Sequence, residues 1–251
     1  MHAKAEERDS LHKDTGVISQ RGIKPVICVS IAADTSDAAL LMMRKAYAKT
    51  DIVELRTDRI HNADLKMLIG AKQGKIIVTN RCRKEGGEFA GTEEERIDLL
   101  KEAVQLGAEY IDVEMETDQT LRKDLEETIR TFGGRTQMIL SWHDYRKTPS
   151  DRALRTRMEK GIRGGGNIVK MVPHALSFED NLRVLNLIMH AKKNDQPVIA
   201  FCMGDKGRLS RIMSPYLGSL MTYAVLEKAG ITAPGQMTID EMQRVFKLFE
   251  G

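Results

Sequence analysis

Lys170 stands inside the apolar run NIVKMV, residues 167–172, a setting in which an ammonium group is costly and rarely fully buried. His143 lies in SWHDY, residues 141–145. A free lysine amine, with a pKa near 10.4, is neutral in only about one molecule in a thousand near pH 7.4. Burial and neighbouring cations raise that fraction by disfavouring the ammonium. A neutral amine attacks a ketone or aldehyde, and the protonated imine then draws electrons from the α-carbon. A histidine titrating near neutrality takes the α-proton and returns it to a leaving hydroxyl. Lysine with histidine therefore points to carbonyl chemistry: aldol cleavage, isomerisation or β-elimination of water. Arg56, Arg81 and Arg211 add guanidinium groups, which bind carboxylates bidentately, so an anionic substrate is expected.

Spacing refines the set. Residues two apart on a strand share a face, so Glu54 points with Arg56, and Lys170 with Ile168. Asp144 is adjacent to His143 and faces away from it, so a carboxylate partner for the histidine must come from elsewhere. Glu85, in the glycine-rich RKEGGE, is the candidate. Each residue also has an ordinary reading: a structural histidine, a rim ion pair in Glu-x-Arg, a plain turn in KEGGE. Their convergence in one place is what favours a site.

The elements that would place them alternate. Apolar runs at 25–31, 51–55, 75–80, 109–115, 136–142, 167–172, 197–203 and 221–226 are separated by amphipathic stretches. Two of these stretches open as capping boxes, Thr92-x-x-Glu95 and Thr238-x-x-Glu241. Strands alternating with helices mean parallel βαβ units, and eight in about 250 residues favour a single closed (β/α)8 TIM barrel over an open sheet. No strand leads into G-x-G-x-x-G or a P-loop, and RGGGN precedes a strand instead of opening a helix. In such a barrel the chemistry sits at the C-terminal strand ends. Those ends carry, in order, Ser30, Glu54 with Arg56, Arg81 followed by Glu85, Glu114, His143, Lys170, Arg211 and Gln236. Residues 1–16 read as a disordered polar leader, 17–251 as the barrel, with VISQRGI as a short hairpin closing its floor.

Composition excludes several classes. The net charge is +3, from 39 basic and 36 acidic residues, which gives no support for nucleic acid or an anionic membrane as partner. Three cysteines without C-x-x-C spacing argue against a disulfide framework or structural zinc and suit a reducing cytoplasm. No H-x-H or H-E-x-x-H spacing occurs, so no metal is expected. The N-terminus lacks the apolar core of a secretory signal.

The ordered set VELRTD, RKEGGE, SWHDY, NIVKMV, MGDKGRLSR and APGQ resembles type I 3-dehydroquinate dehydratase, from about residue 25 to the C-terminus. The resemblance implies a lyase of the shikimate pathway that converts 3-dehydroquinate to 3-dehydroshikimate without cofactor. Lys170 would form the Schiff base with the C3 ketone. His143 would take the C2 proton and protonate the departing C1 hydroxyl, and Glu85 would orient the histidine. Arg211 would hold the substrate carboxylate, with Gln236 beside it. Ser30, Glu54, Arg56 and Arg81 would bind ring hydroxyls and carboxylate. Thr232 stands where the family often has serine, which keeps the hydroxyl. A cytoplasmic homodimer is the implied assembly. Two other readings share some of these residues: a class I aldolase, which would need a phosphate cradle, and a non-catalytic anion-binding barrel, which would give Lys170 and His143 no reason to meet.

Overall fold

The computed structural model describes residues 24–249, so the polar leader and the proposed floor hairpin at 17–23 lie outside the described residues. Eight strands alternate with eight helices among those residues. They run β1 (Ile27–Ile31), α1 (Ser36–Tyr47), β2 (Ile52–Arg56), α2 (Leu65–Gly70), β3 (Lys75–Thr79), α3 (Glu93–Gln105), β4 (Tyr110–Glu114) and α4 (Gln119–Thr131). The second half follows as β5 (Gln137–Asp144), α5 (Asp151–Arg163), β6 (Ile168–Pro173), α6 (Glu179–Lys193), β7 (Val198–Ala200), α7 (Arg208–Leu217), β8 (Thr222–Val225) and α8 (Ile239–Lys247).

The strands pair in parallel in the order β7-β6-β5-β4-β3-β2-β1-β8. Between the two end strands, the Leu220 backbone N–H donates to the Val198 carbonyl at 2.9 Å, which brings the sheet nearly to closure as a (β/α)8 barrel. Nearly every strand residue is buried, as expected when helices cover one face and the barrel interior the other. Outward residues such as Val53, Val78, Leu140 and Val169 pack under the helices with Leu68, Leu100 and Ile188. Inward residues Cys28, Ile52, Ile77, Ile139, Ile168, Ile199 and Met221 fill the lower barrel. That apolar plug leaves only the upper part of the barrel for polar groups.

Both capping boxes form. Thr92 Oγ1 accepts the Glu95 N–H while Glu95 Oε2 accepts the Thr92 N–H, and Thr238 with Glu241 does the same. β5 runs two residues further than its apolar run, because pairing with β6 continues through His143↔Val172. The ladder of β7 stops at Ala200, although Met203 still donates to the Pro173 carbonyl at 2.7 Å. No helix among the described residues is long and apolar enough to cross a membrane.

Candidate active site

A pocket of about 430 Å³ opens at the C-terminal ends of the strands. Its lining includes Ser30, Glu54, Arg56, Arg81, Glu85, His143, Lys170, Arg211, Thr232 and Gln236, so the structure brings together ten of the eleven residues singled out in the sequence. Glu114 does not line it. The carboxylate of β4 that reaches the lysine is Asp112, one inward position lower, while Glu114 lies behind, accepting from Arg81 Nη1 and paired with Arg96 of α3.

Lys170, placed by β6 directly above Ile168, is 4% exposed. Its Nζ donates to Asp112 Oδ2 at 2.9 Å and to Glu54 Oε1 at 3.3 Å, and lies 4.2 Å from the centre of the Tyr223 ring. The contacts on the amine are thus two carboxylates and an aromatic face, not the cations expected from the sequence. Those cations have carboxylates of their own: Arg81 is paired with Asp112 and Glu114, and Arg56 with Asp58. Asp112 also accepts from Ser141 Oγ at 2.6 Å, and Glu54 accepts from Ser30 and Thr79. Against the cost of burial, Arg81 and Lys170 hold Asp112 far below the usual carboxylate range, and Lys170 and Arg56 hold Glu54 below it. Two ionised carboxylates beside the nitrogen stabilise its positively charged forms, the ammonium and an iminium made from it.

His143 comes from the end of β5. Its Nδ1 lies 2.8 Å from Glu85 Oε2, and the same oxygen accepts the His143 backbone N–H at 2.9 Å. In the tautomer that donates Nδ1–H to this oxygen, Nε2 bears the lone pair. Burial, with Arg81 and Lys170 close by, holds the imidazole well below its ordinary pKa and therefore uncharged at neutral pH. Burial pushes Glu85 up to about 8, against the pull of Arg81. Glu85 ends a 3₁₀ turn, Arg83–Glu85, that closes on Gly86 in the left-handed region at φ 80°. A Cβ at Gly86 would collide with the Tyr145 phenol, and one at Gly87 with the Arg81 carbonyl, so both glycines are needed for the turn to lie against the barrel mouth.

Arg211, from α7, is 1% exposed and stacks over Phe201 at 4.6 Å. Among the described residues no carboxylate pairs with it. Its Nη2 reaches only the Pro234 carbonyl at 3.4 Å, and its Nε has no partner. Burial without compensation pushes its pKa down to about 10. Every other cation on the pocket has a carboxylate. This one has none, which is the signature of a site completed by an anionic ligand.

The APGQ loop is not a phosphate cradle. Gln236 Oε1 accepts the N–H groups of Thr232 and Ala233, at 2.7 and 3.0 Å, and the Thr232 hydroxyl at 3.2 Å. The donors of Thr232 and Ala233 that a phosphate would use are spent on the loop itself. Residues the strand-end reading missed are Asp112 and Tyr223, deep in the barrel, and Tyr145 on the pocket wall. Asp112 carried a usable signal: a carboxylate inside the apolar strand EYIDVEM, as anomalous as Lys170 in its own.

A profile of type I 3-dehydroquinase matches residues 27–251. The chain belongs to the type I 3-dehydroquinase family. The 3-dehydroquinate dehydratase of Desulfotalea psychrophila is 38% identical over 224 residues, which cover 88% of this chain and 96% of that protein. That of Methanocaldococcus jannaschii is 33% identical over 225 residues, with 90% and 99% covered. The solved 3-dehydroquinate dehydratase of Aquifex aeolicus superposes with a TM-score of 0.75 at 31% identity, covering 89% of this chain and 98% of that one. The Clostridium difficile type I enzyme, solved with a covalently modified comenic acid, reaches a TM-score of 0.82 at 24% identity, covering 92% and 94%, and shares the fold.

Proposed function

We propose that the protein dehydrates 3-dehydroquinate to 3-dehydroshikimate through an imine on Lys170. The observation that carries this reading is the single pocket holding the Lys170 amine, the His143–Glu85 pair and the unpartnered Arg211. The carboxylate of the substrate supplies the counter-charge for Arg211, and Gln236 lines the same pocket. Ser30, Glu54, Arg56, Arg81 and Thr232 offer donors and acceptors for the ring hydroxyls.

With the substrate held there, Lys170 Nζ attacks C3, two of the ammonium protons end on the ketone oxygen, and that oxygen leaves as water to give the iminium. His143 Nε2 removes a C2 proton, and the electron pair forms the C1–C2 double bond as the C1 hydroxyl departs with the proton that histidine returns. Water then hydrolyses the imine, so one water is lost overall.

Borohydride added during turnover with 3-dehydroquinate should leave the reduced adduct on Lys170, read by peptide mass spectrometry. His143→Ala should trap the same adduct while appearance of the enone absorbance slows at least about a hundredfold. An adduct on another lysine, or none, removes the imine from the scheme; near-normal turnover in the histidine variant removes the base.

A further inference from the structure

Asp58 sits behind the pocket, in the turn that follows β2, with its side chain fully buried. Its two oxygens engage one edge of Arg56: Nε donates to Oδ1 and Nη2 to Oδ2, each at 2.8 Å. A guanidinium gripped by that edge keeps three of its five N–H donors, both on Nη1 and one on Nη2, to offer a ligand, and Arg56 lines the pocket. Asp58 Oδ2 also accepts the backbone N–H of Glu88 at 3.1 Å. Glu88 lies three residues beyond Glu85, on the far limb of the loop that presents Glu85 to His143. Arg59, the next residue after Asp58, adds an ion pair to the Glu88 carboxylate at 2.9 Å. Against the cost of burial, Arg56 and the Glu88 and Arg81 backbone N–H groups hold the Asp58 carboxyl below its usual range, so it stays ionised. One buried carboxylate thus touches both an arm of the pocket and the loop beside the base.

We infer that Asp58 is a positioning residue that couples the substrate-facing edge of Arg56 to the loop carrying Glu85. The inference rests on the roles proposed above for Arg56 and Glu85. Substrate that draws on Arg56 Nη1 leaves the other edge on Asp58, and the same carboxylate keeps Glu85 in reach of His143. Binding and base orientation then rise and fall together.

Asp58→Asn keeps the side-chain shape and removes the charge. The expected result is a KM about tenfold higher together with a kcat about fivefold lower, with the Lys170 adduct still trapped by borohydride. A change in KM alone means that Asp58 serves Arg56 only, and a lower melting temperature with both constants unchanged means a purely structural role; either overturns the coupling. Arg56→Gln is the second arm, should the first variant fail to fold. Amide hydrogen exchange across residues 86–91 should then speed up about fivefold or more, although the substitution lies on β2. Unchanged exchange there overturns the coupling as well. Failure of the underlying reading shows separately, as wild-type protein that gives no Lys170 adduct with 3-dehydroquinate.

Discussion

His143 and Arg211 show how burial shapes a single side chain. Both are charged-capable groups taken out of water, and each answers differently. The imidazole sheds its charge, because burial and two nearby cations all oppose imidazolium. The guanidinium keeps its charge, because even a pKa near 10 leaves it protonated at neutral pH, and so it must find an anion. The histidine shift has a direct kinetic consequence. A general base works only while neutral, so activity is lost as pH falls through its folded value, which lies well below the model-peptide value of about 6.5. The acid limb of kcat/KM should therefore fall clearly below pH 6.5, and a limb at or above that pH would contradict the assignment of the base.

The loop after β3 shows what an element adds. Glu85 reaches His143 only because the chain reverses immediately after it, through Gly86 in the left-handed region and Gly87 against the Arg81 carbonyl. Capping of α3 by Thr92 and Glu95 anchors the far end of the same segment. Gly86→Ala places a methyl group in the Tyr145 phenol at a φ that L-residues adopt at a cost of order 1–3 kcal/mol. The expected outcome is a kcat at least about tenfold lower, with the lysine adduct still formed, since Lys170 sits on a different strand. Wild-type kcat in that variant would show that the loop does not set the position of Glu85.

At the scale of the molecule, the buried charges link function to stability. Asp112, Glu54 and Asp58 have depressed values, so their contribution is present above about pH 4 and is lost as pH falls through their folded values. His143, also depressed, loses stability as the unfolded chain takes up its proton below about pH 6.5. Glu85 works the other way. Its folded value of about 8 means that the native state holds a proton the unfolded chain has released, so stability declines as pH rises from about 4 to 8. Between about pH 4.5 and 6.5 the His143 and Glu85 contributions oppose each other. Urea unfolding midpoints should therefore be flat over that range, decline gently towards pH 8, and drop steeply below pH 4. A steady rise from pH 5 to 8 would contradict a protonated Glu85.

The barrel and nine of its ten pocket residues were legible in the linear order, for a physical reason, whereas Thr232 came from the family resemblance alone. Parallel strands joined by helices all end on one rim, so position at a strand end is also position in space. Period two then supplied direction, which is how Glu85 was preferred to Asp144 for His143. What a strand alone does not determine is depth and company. Asp112 and Glu114 share a face of β4, and only the closed barrel, with its register across β3, β4 and β6, puts Asp112 against Lys170 and Arg81 and leaves Glu114 outside. The same holds for the amine, whose neighbours are carboxylates, and for Arg211, whose lack of a partner exists only once every other charge has been placed. Ion pairing among buried groups is set by distances between distant strands, and those distances belong to the tertiary structure alone.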